Sequence, residues 1–280
     1  MRILVTGGGG QVGRELAPAF DGHDVVALAR AALDVADRDG VLAAAEGCRP
    51  DAIVHAGAWT DVDGCEGDPD RAYAVNALGT RHVAEAARRL GATVCYISTD
   101  YVFPGDATRP YTEWDATGPR SAYGRSKLGG EQELSEGDTV VRTAWVNGRY
   151  GRNFVKTMLR MAGERETVTV VDDQHGCPTL AADLASMIKT LVVGRRPGVF
   201  HVTNQGATTW FGLARDVFTA AGLDPARVQP VASADLDPPR PAPRPAWSVL
   251  DNAALRLSGV PLLADYHEPL DRLVKELCSR

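Results

Sequence analysis

RILVTGGGGQVGRE, from Arg2 to Glu15, decides the fold. Ile3, Leu4 and Val5 make a short apolar run, four glycines follow at Gly7–Gly10, and the stretch from Gln11 onward suits a helix. This is a strand, a glycine-rich turn and a helix start. The glycines fit two registers: Gly8, Gly10 and Gly13 match G-x-G-x-x-G, and Gly7, Gly10 and Gly13 match G-x-x-G-x-x-G. Either gives a tight turn, a bare backbone that a pyrophosphate can approach, and close packing of helix on strand. The helix N-terminus adds N–H groups and a dipole that favour phosphate. The stretch therefore predicts dinucleotide binding.

Outward from this turn, β-like and helical runs alternate. DVVALA, a helix near DGVLAAAEG and the run DAIVHAG are followed by a long helix through RAYAVNALGTRHVAEAARRL, then TVCYIS, a helix beginning near Tyr123, and TVVRTAW. Such alternation with apolar strands predicts a Rossmann-type, doubly wound parallel sheet with helices on both faces. Past Trp145 the pattern loosens. Helical stretches near NFVKTMLRMAGE, TLAADLASMIKTLVV and TWFGLARDVFTAAG alternate with VTVVD and GVFHVT. DPPRPAPRPAW is a loop, since closely spaced prolines continue neither a helix nor a central strand. The expected organisation is a dinucleotide-binding domain over 1–145, to which part of 167–200 returns, and a smaller α/β substrate domain made mainly of 146–280.

Composition excludes several classes of function. The chain has 280 residues, 44% hydrophobic and 24% charged, with a formal net charge of −6. That suits a sizeable core. With no Lys/Arg block, nucleic acid is not an expected partner. No apolar run approaches the ~20 residues of a membrane span, and the N-terminus shows no secretory signal. Cys48, Cys65, Cys95, Cys177 and Cys278 are scattered and form no C-x-x-C pair, so no disulfide framework or metal site is implied. A reduced cytoplasm is the expected setting. His55 and His175 lack metal-ligand spacing and read as structural, and Cys95 reads as core.

SAYGRSK, from Ser121 to Lys127, sets a phenol and an ammonium four residues apart. Residues i and i+4 share a helix face. An ammonium beside a phenol favours the phenolate, so the spacing predicts a Tyr123 with a lowered pKa, suited to general acid–base work.

TGGGGQVG and YGRSK together resemble the extended short-chain dehydrogenase/reductases. STDYVFPG (98–105), AYAVNALGT (72–80), VRTAWV (141–146), DDQHGCPT (172–179) and RPAWS (244–248) narrow the resemblance to the dTDP-4-dehydrorhamnose reductase branch and its deoxysugar ketoreductase relatives. The resemblance covers nearly the whole chain. It implies NAD(P)H-dependent reduction of a 4-keto group on a nucleotide-linked 6-deoxyhexose. It also implies a small-molecule nucleotide-sugar substrate, and it admits a homodimer.

Carried over residue by residue, the resemblance makes Tyr123 the proton donor to the substrate carbonyl. Lys127 binds the nicotinamide ribose and tunes Tyr123, and Thr99 hydrogen-bonds the same substrate oxygen. Asp100 and Trp145 are implied in substrate binding. Gly10, Gln11 and Val12 match the phosphate turn, with Gly7 beside them. Ala58, Trp59 and Thr60 match a cofactor-contact loop, and Asp34 and Val35 lie near the adenine. Asn76 resembles a helix asparagine that supports the lysine through water. Some relatives bring a residue like Glu15 to a metal-linked dimer contact, but one glutamate implies no metal here.

At the end of the second strand Ala29 stands where many relatives carry aspartate, and Arg30 follows. An acid there would hold a ribose 2′-hydroxyl, whereas an arginine accommodates a 2′-phosphate. The expectation is NADPH preferred, with NADH also used: Asp34 and Asp37 partly restore an acidic environment, and the resemblance, some of whose members accept both cofactors, implies a modest preference. Arg244, in the Pro-rich loop, is a candidate for the nucleotide diphosphate.

Two other readings share the scaffold. A nucleotide-sugar epimerase or dehydratase has the same glycine turn and Tyr–Lys pair. Related dehydratases usually follow the threonine with an Asp–Glu pair, and here Tyr101 replaces the glutamate. A non-catalytic regulatory subunit of methionine adenosyltransferase also uses this scaffold. The retention of Tyr123, Lys127 and Thr99 together favours an enzyme.

Overall fold

The computed structural model describes residues 1–279. Its first half runs β1 (Arg2–Thr6), α1 (Gly13–Ala19), β2 (Asp24–Leu28), α2 (Arg38–Cys48), β3 (Ala52–His55), α3 (Val62–Gly67), α4 (Pro69–Tyr73), α5 (Gly79–Leu90), β4 (Thr93–Thr99), α6 (Ala122–Glu131) and β5 (Thr139–Thr143). The rest runs β6 (Val146–Asn147), α7 (Phe154–Glu164), β7 (Val168–Val171), β8 (His175–Gly176), β9 (Thr179–Leu180), α8 (Ala181–Val193), β10 (Gly198–His201), β11 (Thr208–Thr209), α9 (Trp210–Ala220), β12 (Val228–Val231), α10 (Ala253–Leu257) and α11 (His267–Cys278).

Six strands form one parallel sheet in the order β10-β5-β4-β3-β1-β2. β3 and β5 are buried along their whole length, as strands covered on both faces must be. One face packs Ile3, Val5, Val54 and Val141 against Leu16 and Phe20 near α1 and Leu184, Ile188 and Leu191 of α8. The other packs Leu4, Ile53, Val94 and Tyr96 against α2 and α5. A separate apolar cluster joins α7, α9 and α11 to β7 and β12. Of the stretch 167–200, α8 and β10 lie on or in the main sheet, whereas β7 pairs with β12 outside it.

Local chemistry sets where the helices begin. Asp37, Asp61, Ser121, Asn153 and Thr209 each precede a helix, and each side chain accepts a backbone N–H three residues on. The long helix expected over 71–90 carries a π-helical turn at Ala74–Leu78 between α4 and α5. Such turns concentrate at functional sites, and this one contains Asn76. The Pro-rich stretch 237–247 holds no helix or ladder strand.

The chain leaves β1 for β2 on one side and returns to β3 on the other, so β1 and β3 flank the point where strand order reverses. Open α/β sheets bind ligands in the crevice outside the strand carboxyl ends at that point. Gly7–Gly10 and Ala56–Thr60 lie there.

Candidate active site

Two connected cavities open along this edge. The first, of about 390 Å³, is lined by Gly7, Gly9, Gly10, Ala29, Arg30, Asp34, Val35, Ala58 and Trp59, among others. The second, of about 450 Å³, holds Gln11, Val12, Thr60, Thr99, Asp100, Tyr123, Lys127 and Trp145. Gly10, Ala56 and Ala58 line both, so they form one trough. Apart from Arg244, the residues singled out as catalytic or ligand-binding from the sequence all line it.

The glycine turn is built for close backbone approach. Gly7 has φ +69°, and a Cβ there would lie 2.6 Å from the Gly57 nitrogen. At Gly13 a Cβ would lie 2.2 Å from the Gly7 carbonyl oxygen. Side chains at these positions would collide with neighbouring backbone and break the tight turn, so the residues present fit the close-packed turn that a dinucleotide needs. Trp59 is pinned by Asn76, whose Oδ1 accepts from Trp59 N (2.8 Å) and whose Nδ2 donates to Trp59 O (3.1 Å). The same Nδ2 donates to Ser126 Oγ at 2.9 Å. Asn76 thus joins the cofactor-contact loop to α6 directly, beside Lys127, rather than touching the lysine. The Arg71 guanidinium stacks over the Trp59 ring at 4.4 Å. Arg30 is exposed and stands 3.8 Å from Asp34.

In the second cavity Tyr123 sits in the first turn of α6, buried against Tyr101, with ring centroids 5.5 Å apart. The Thr99 hydroxyl donates to Asp100 Oδ1 at 2.8 Å. Asp100 Oδ2 and Thr143 Oγ1 are buried polar atoms with no hydrogen-bond partner among the described residues. Unpaired buried polar atoms cost stability, and the two residues that carry them both line this cavity, which fits a polar ligand. Burial pushes the Asp100 carboxyl up to about 6, against the pull of the nearby Ser248 and Thr99 hydroxyls.

The structure corrects the expectation of a lowered Tyr123 pKa. Burial raises the Tyr123 phenol above its ordinary value, and the Thr99 hydroxyl offsets this only in part. The Lys127 ammonium extends over the Tyr96 ring at 4.1 Å and donates to the Ile97 carbonyl at 2.6 Å. Burial pushes Lys127 down to about 7, with Glu131 opposing. Removal of the phenolate from water dominates while the Lys127 ammonium is turned towards Ile97 and Tyr96, so Tyr123 is held in its proton-bearing form.

Arg244 does not line this trough. It borders an adjoining cavity of about 380 Å³ with Arg240 and Tyr101, and its guanidinium is tied to Asp63 Oδ2 at 2.8 Å. Asp63 also accepts from Ala242 N at 3.1 Å, so one carboxylate on α3 anchors the Pro-rich loop. This makes Arg244 a clamp of that loop, beside a cavity that shares Tyr101, Phe154 and Trp210 with the second one.

Among the cavity residues that went unread in the sequence are Thr143, Arg152, Phe154 and Trp210. Trp210 stacks on Trp145 with centroids 3.7 Å apart, and Phe154 tilts against it at 4.7 Å. Trp145 itself has φ +46°, a left-handed backbone that is rare for a bulky residue and concentrates at functional sites. The motifs VRTAWV and DDQHGCPT bracket this wall, but nothing local in TTWFGLA signals that Trp210 completes it.

His55 is buried, hydrogen-bonds Thr6 at 2.6 Å and stacks on Tyr96; burial first, then the Lys127 charge, push it down to about 3. Glu15 is buried and held by Arg149 at 3.0 and 3.1 Å. Among the described residues no cluster of three or more His, Cys, Asp or Glu side chains is placed to hold a metal ion. No helix among them is long and apolar enough to cross a membrane.

Comparison with known proteins agrees with this geometry. The family model described as RmlD substrate binding domain matches residues 1–279. A dTDP-4-dehydrorhamnose reductase of Streptomyces griseus is 46% identical over 290 residues, covering 100% of this chain and 95% of the relative. A dTDP-4-keto-6-deoxy-D-glucose reductase of Streptomyces niveus is 43% identical, covering 92% of this chain and 91% of the relative. Among solved structures, dTDP-4-dehydrorhamnose reductase of Bacillus anthracis in complex with NADP superposes with a TM-score of 0.94 at 38% identity, covering 98% of this chain and 99% of that one. On the strength of a match spanning the described chain and relatives of this identity over nearly their whole length, the chain belongs to the dTDP-4-dehydrorhamnose reductase family.

Proposed function

We propose that this chain uses NADPH, with NADH as a weaker substitute, to reduce the 4-keto group of a nucleotide-linked 6-deoxyhexose. The substrate read here is dTDP-4-dehydrorhamnose, or a related deoxysugar of the kind named for the Streptomyces niveus relative. The observation that carries the reading is the shared trough: Tyr123, Thr99, Asp100 and Lys127 face one cavity that joins the glycine turn at Gly10.

The nicotinamide cofactor supplies the hydride when bound. The protein supplies the proton and the orientation. Tyr123, held protonated by burial, gives its proton to the carbonyl oxygen, and the adjacent Thr99 hydroxyl hydrogen-bonds that oxygen as charge develops. Donors placed where charge develops act strongly in a dry pocket. The Lys127 ammonium lessens the cost of the phenolate left behind. Asp100 and Thr143, with unpartnered buried atoms, hold sugar hydroxyls. The Trp145–Trp210 stack forms an apolar wall suited to a deoxysugar.

Tyr101 favours this reading over dehydration. It follows Asp100 where a dehydratase carries its second acid, and its ring packs edge-on against Tyr123. Residues 1–145, joined by α8 and β10, form the cofactor part, and most of 146–280 forms the substrate part, a division supported by the separate apolar cluster of α7, α9 and α11. A cytoplasmic setting accords with five cysteines that form no disulfide among the described residues.

The test is NADPH consumption with a panel of 4-keto-6-deoxy nucleotide sugars, followed by product stereochemistry. Turnover with a 4-keto sugar and formation of the 4-hydroxy product are expected. A protein that consumes no NADPH with any of them, or that epimerises or dehydrates a nucleotide sugar instead, overturns the reading.

A further inference from the structure

Tyr123, Lys127 and Glu131 stand at i, i+4 and i+8 of α6, along one helix face. The reaction proposed above uses the first two. The third is buried at the other end of the stripe and is unusually well held. Ser98 Oγ donates to Glu131 Oε1 at 2.5 Å. Arg142 Nε donates to Oε1 at 2.9 Å and to Oε2 at 3.2 Å, and its Nη2 donates to Oε2 at 2.7 Å. Ser98 and Arg142 are direct partners in the β4–β5 ladder, so two paired strands grip one helix carboxylate. The next residue back along β4, Ile97, gives Lys127 its carbonyl.

Stability alone is a poor account of this arrangement. The Glu131 and Arg142 side chains are only 7% and 6% exposed, and replacing such a pair by apolar residues is often neutral or stabilising. Arg142 also keeps Nη1 without a partner among the described residues. The pair does set a carboxylate one turn from Lys127. From its own helix, Lys127 is faced by Tyr123 and Glu131. From β4 it is faced by the Tyr96 ring and the Ile97 carbonyl, from β3 by His55, from the turn after β4 by Asp100 in the same cavity, and from β5 by Arg142 beyond Glu131.

We propose that Glu131 is a positioning residue of the reaction: clamped by Ser98 and Arg142, it anchors α6 to β4 and holds Lys127 as an ammonium at the catalytic cavity. The proposal rests on the reductase reading for its catalytic consequence. Burial drives Lys127 towards the neutral amine, and the Glu131 charge opposes that drive.

Glu131→Gln alone would strand a buried guanidinium, so the test uses the double variant Glu131→Gln/Arg142→Gln, which retains side-chain hydrogen bonding. Glu131→Asp, which keeps the charge, is the control. Two quantities are measured: the pH at which the Lys127 amine of the cofactor-free protein is half-reactive towards acetic anhydride, read by peptide mass spectrometry, and the alkaline limb of kcat. In the double variant both should move to lower pH, by less than the ~1 unit that one nearby opposite charge confers, because the more distant Arg142 charge leaves with that of Glu131. Glu131→Asp should leave both near their wild-type positions. An unmoved Lys127 midpoint, or a kcat reduced by the same factor at every pH, overturns the proposal. So does failure of both variants to fold, which assigns Glu131 to stability. If the midpoint moves while the wild type reduces no sugar, the substrate reading fails and the coupling of Glu131 to Lys127 stands.

Discussion

The Trp145 ring lies against Gly176: a Cβ at that glycine would fall 2.4 Å from the indole. Gly176 is therefore the back wall that lets Trp145 stack on Trp210. Gly176→Ala should push the Trp145 ring into the cavity. We expect KM for the nucleotide sugar to rise about tenfold, within the ~1–3 kcal/mol that overpacking costs, with NADPH affinity unchanged. Equal effects on both ligands in binding titrations would show that this wall does not serve the sugar alone.

In the proposed reaction Tyr123→Phe removes the proton donor and leaves the ring packed on Tyr101. General acids typically contribute about 10²–10⁴-fold, and kcat should fall in that range with NADPH affinity nearly intact. Lys127→Ala should lower both kcat and cofactor affinity. A Phe variant with wild-type turnover would remove Tyr123 from the reaction.

Asp100 links function to stability. Its folded pKa, about 6, is raised from the ordinary 3.8 by burial, so the folded state binds its proton more tightly than the unfolded chain does. Its contribution is favourable below about pH 4 and is lost as pH rises towards 6, then stays lost above it. At ~1.36 kcal/mol per pH unit the penalty is at most about 3 kcal/mol. Asp100→Asn should therefore raise the thermal midpoint at pH 7.5 relative to wild type, lose that advantage at pH 4, and raise KM for the sugar. Melting curves across that pH range check the sign; a variant less stable than wild type at pH 7.5 contradicts it.

Arg30 is the residue expected to read a 2′-phosphate. Hydrogen bonds to charged groups contribute about 1.5–3 kcal/mol, so Arg30→Ala should cost roughly 10- to 100-fold in kcat/KM with NADPH. The loss with NADH should be much smaller. Parallel steady-state kinetics with the two cofactors decide it. Equal losses, or a wild type that prefers NADH, would take the phosphate away from Arg30.

The sequence by itself determined the parallel sheet, the glycine turn and the Tyr123–Lys127 pair. Each is written in local patterns: apolar runs broken by glycine, and side chains one helical turn apart. Thr99, which ends β4, and Asp100, which follows it, were legible because the motif that holds them, STDYVFPG, is contiguous. Tertiary structure alone decided the rest. Trp210 meets Trp145 across 65 positions of chain, and Arg142 meets Glu131 only because β5 lies beside β4. The tie between Arg244 and Asp63 was hidden for the same reason, since Asp63 lies on a helix far away in the chain. The direction of the Tyr123 pKa was misread because spacing reveals which charge shares a helix face but not how much water is left around it. Burial is a sum over every element packed on a group, and at Tyr123 it is the largest cause.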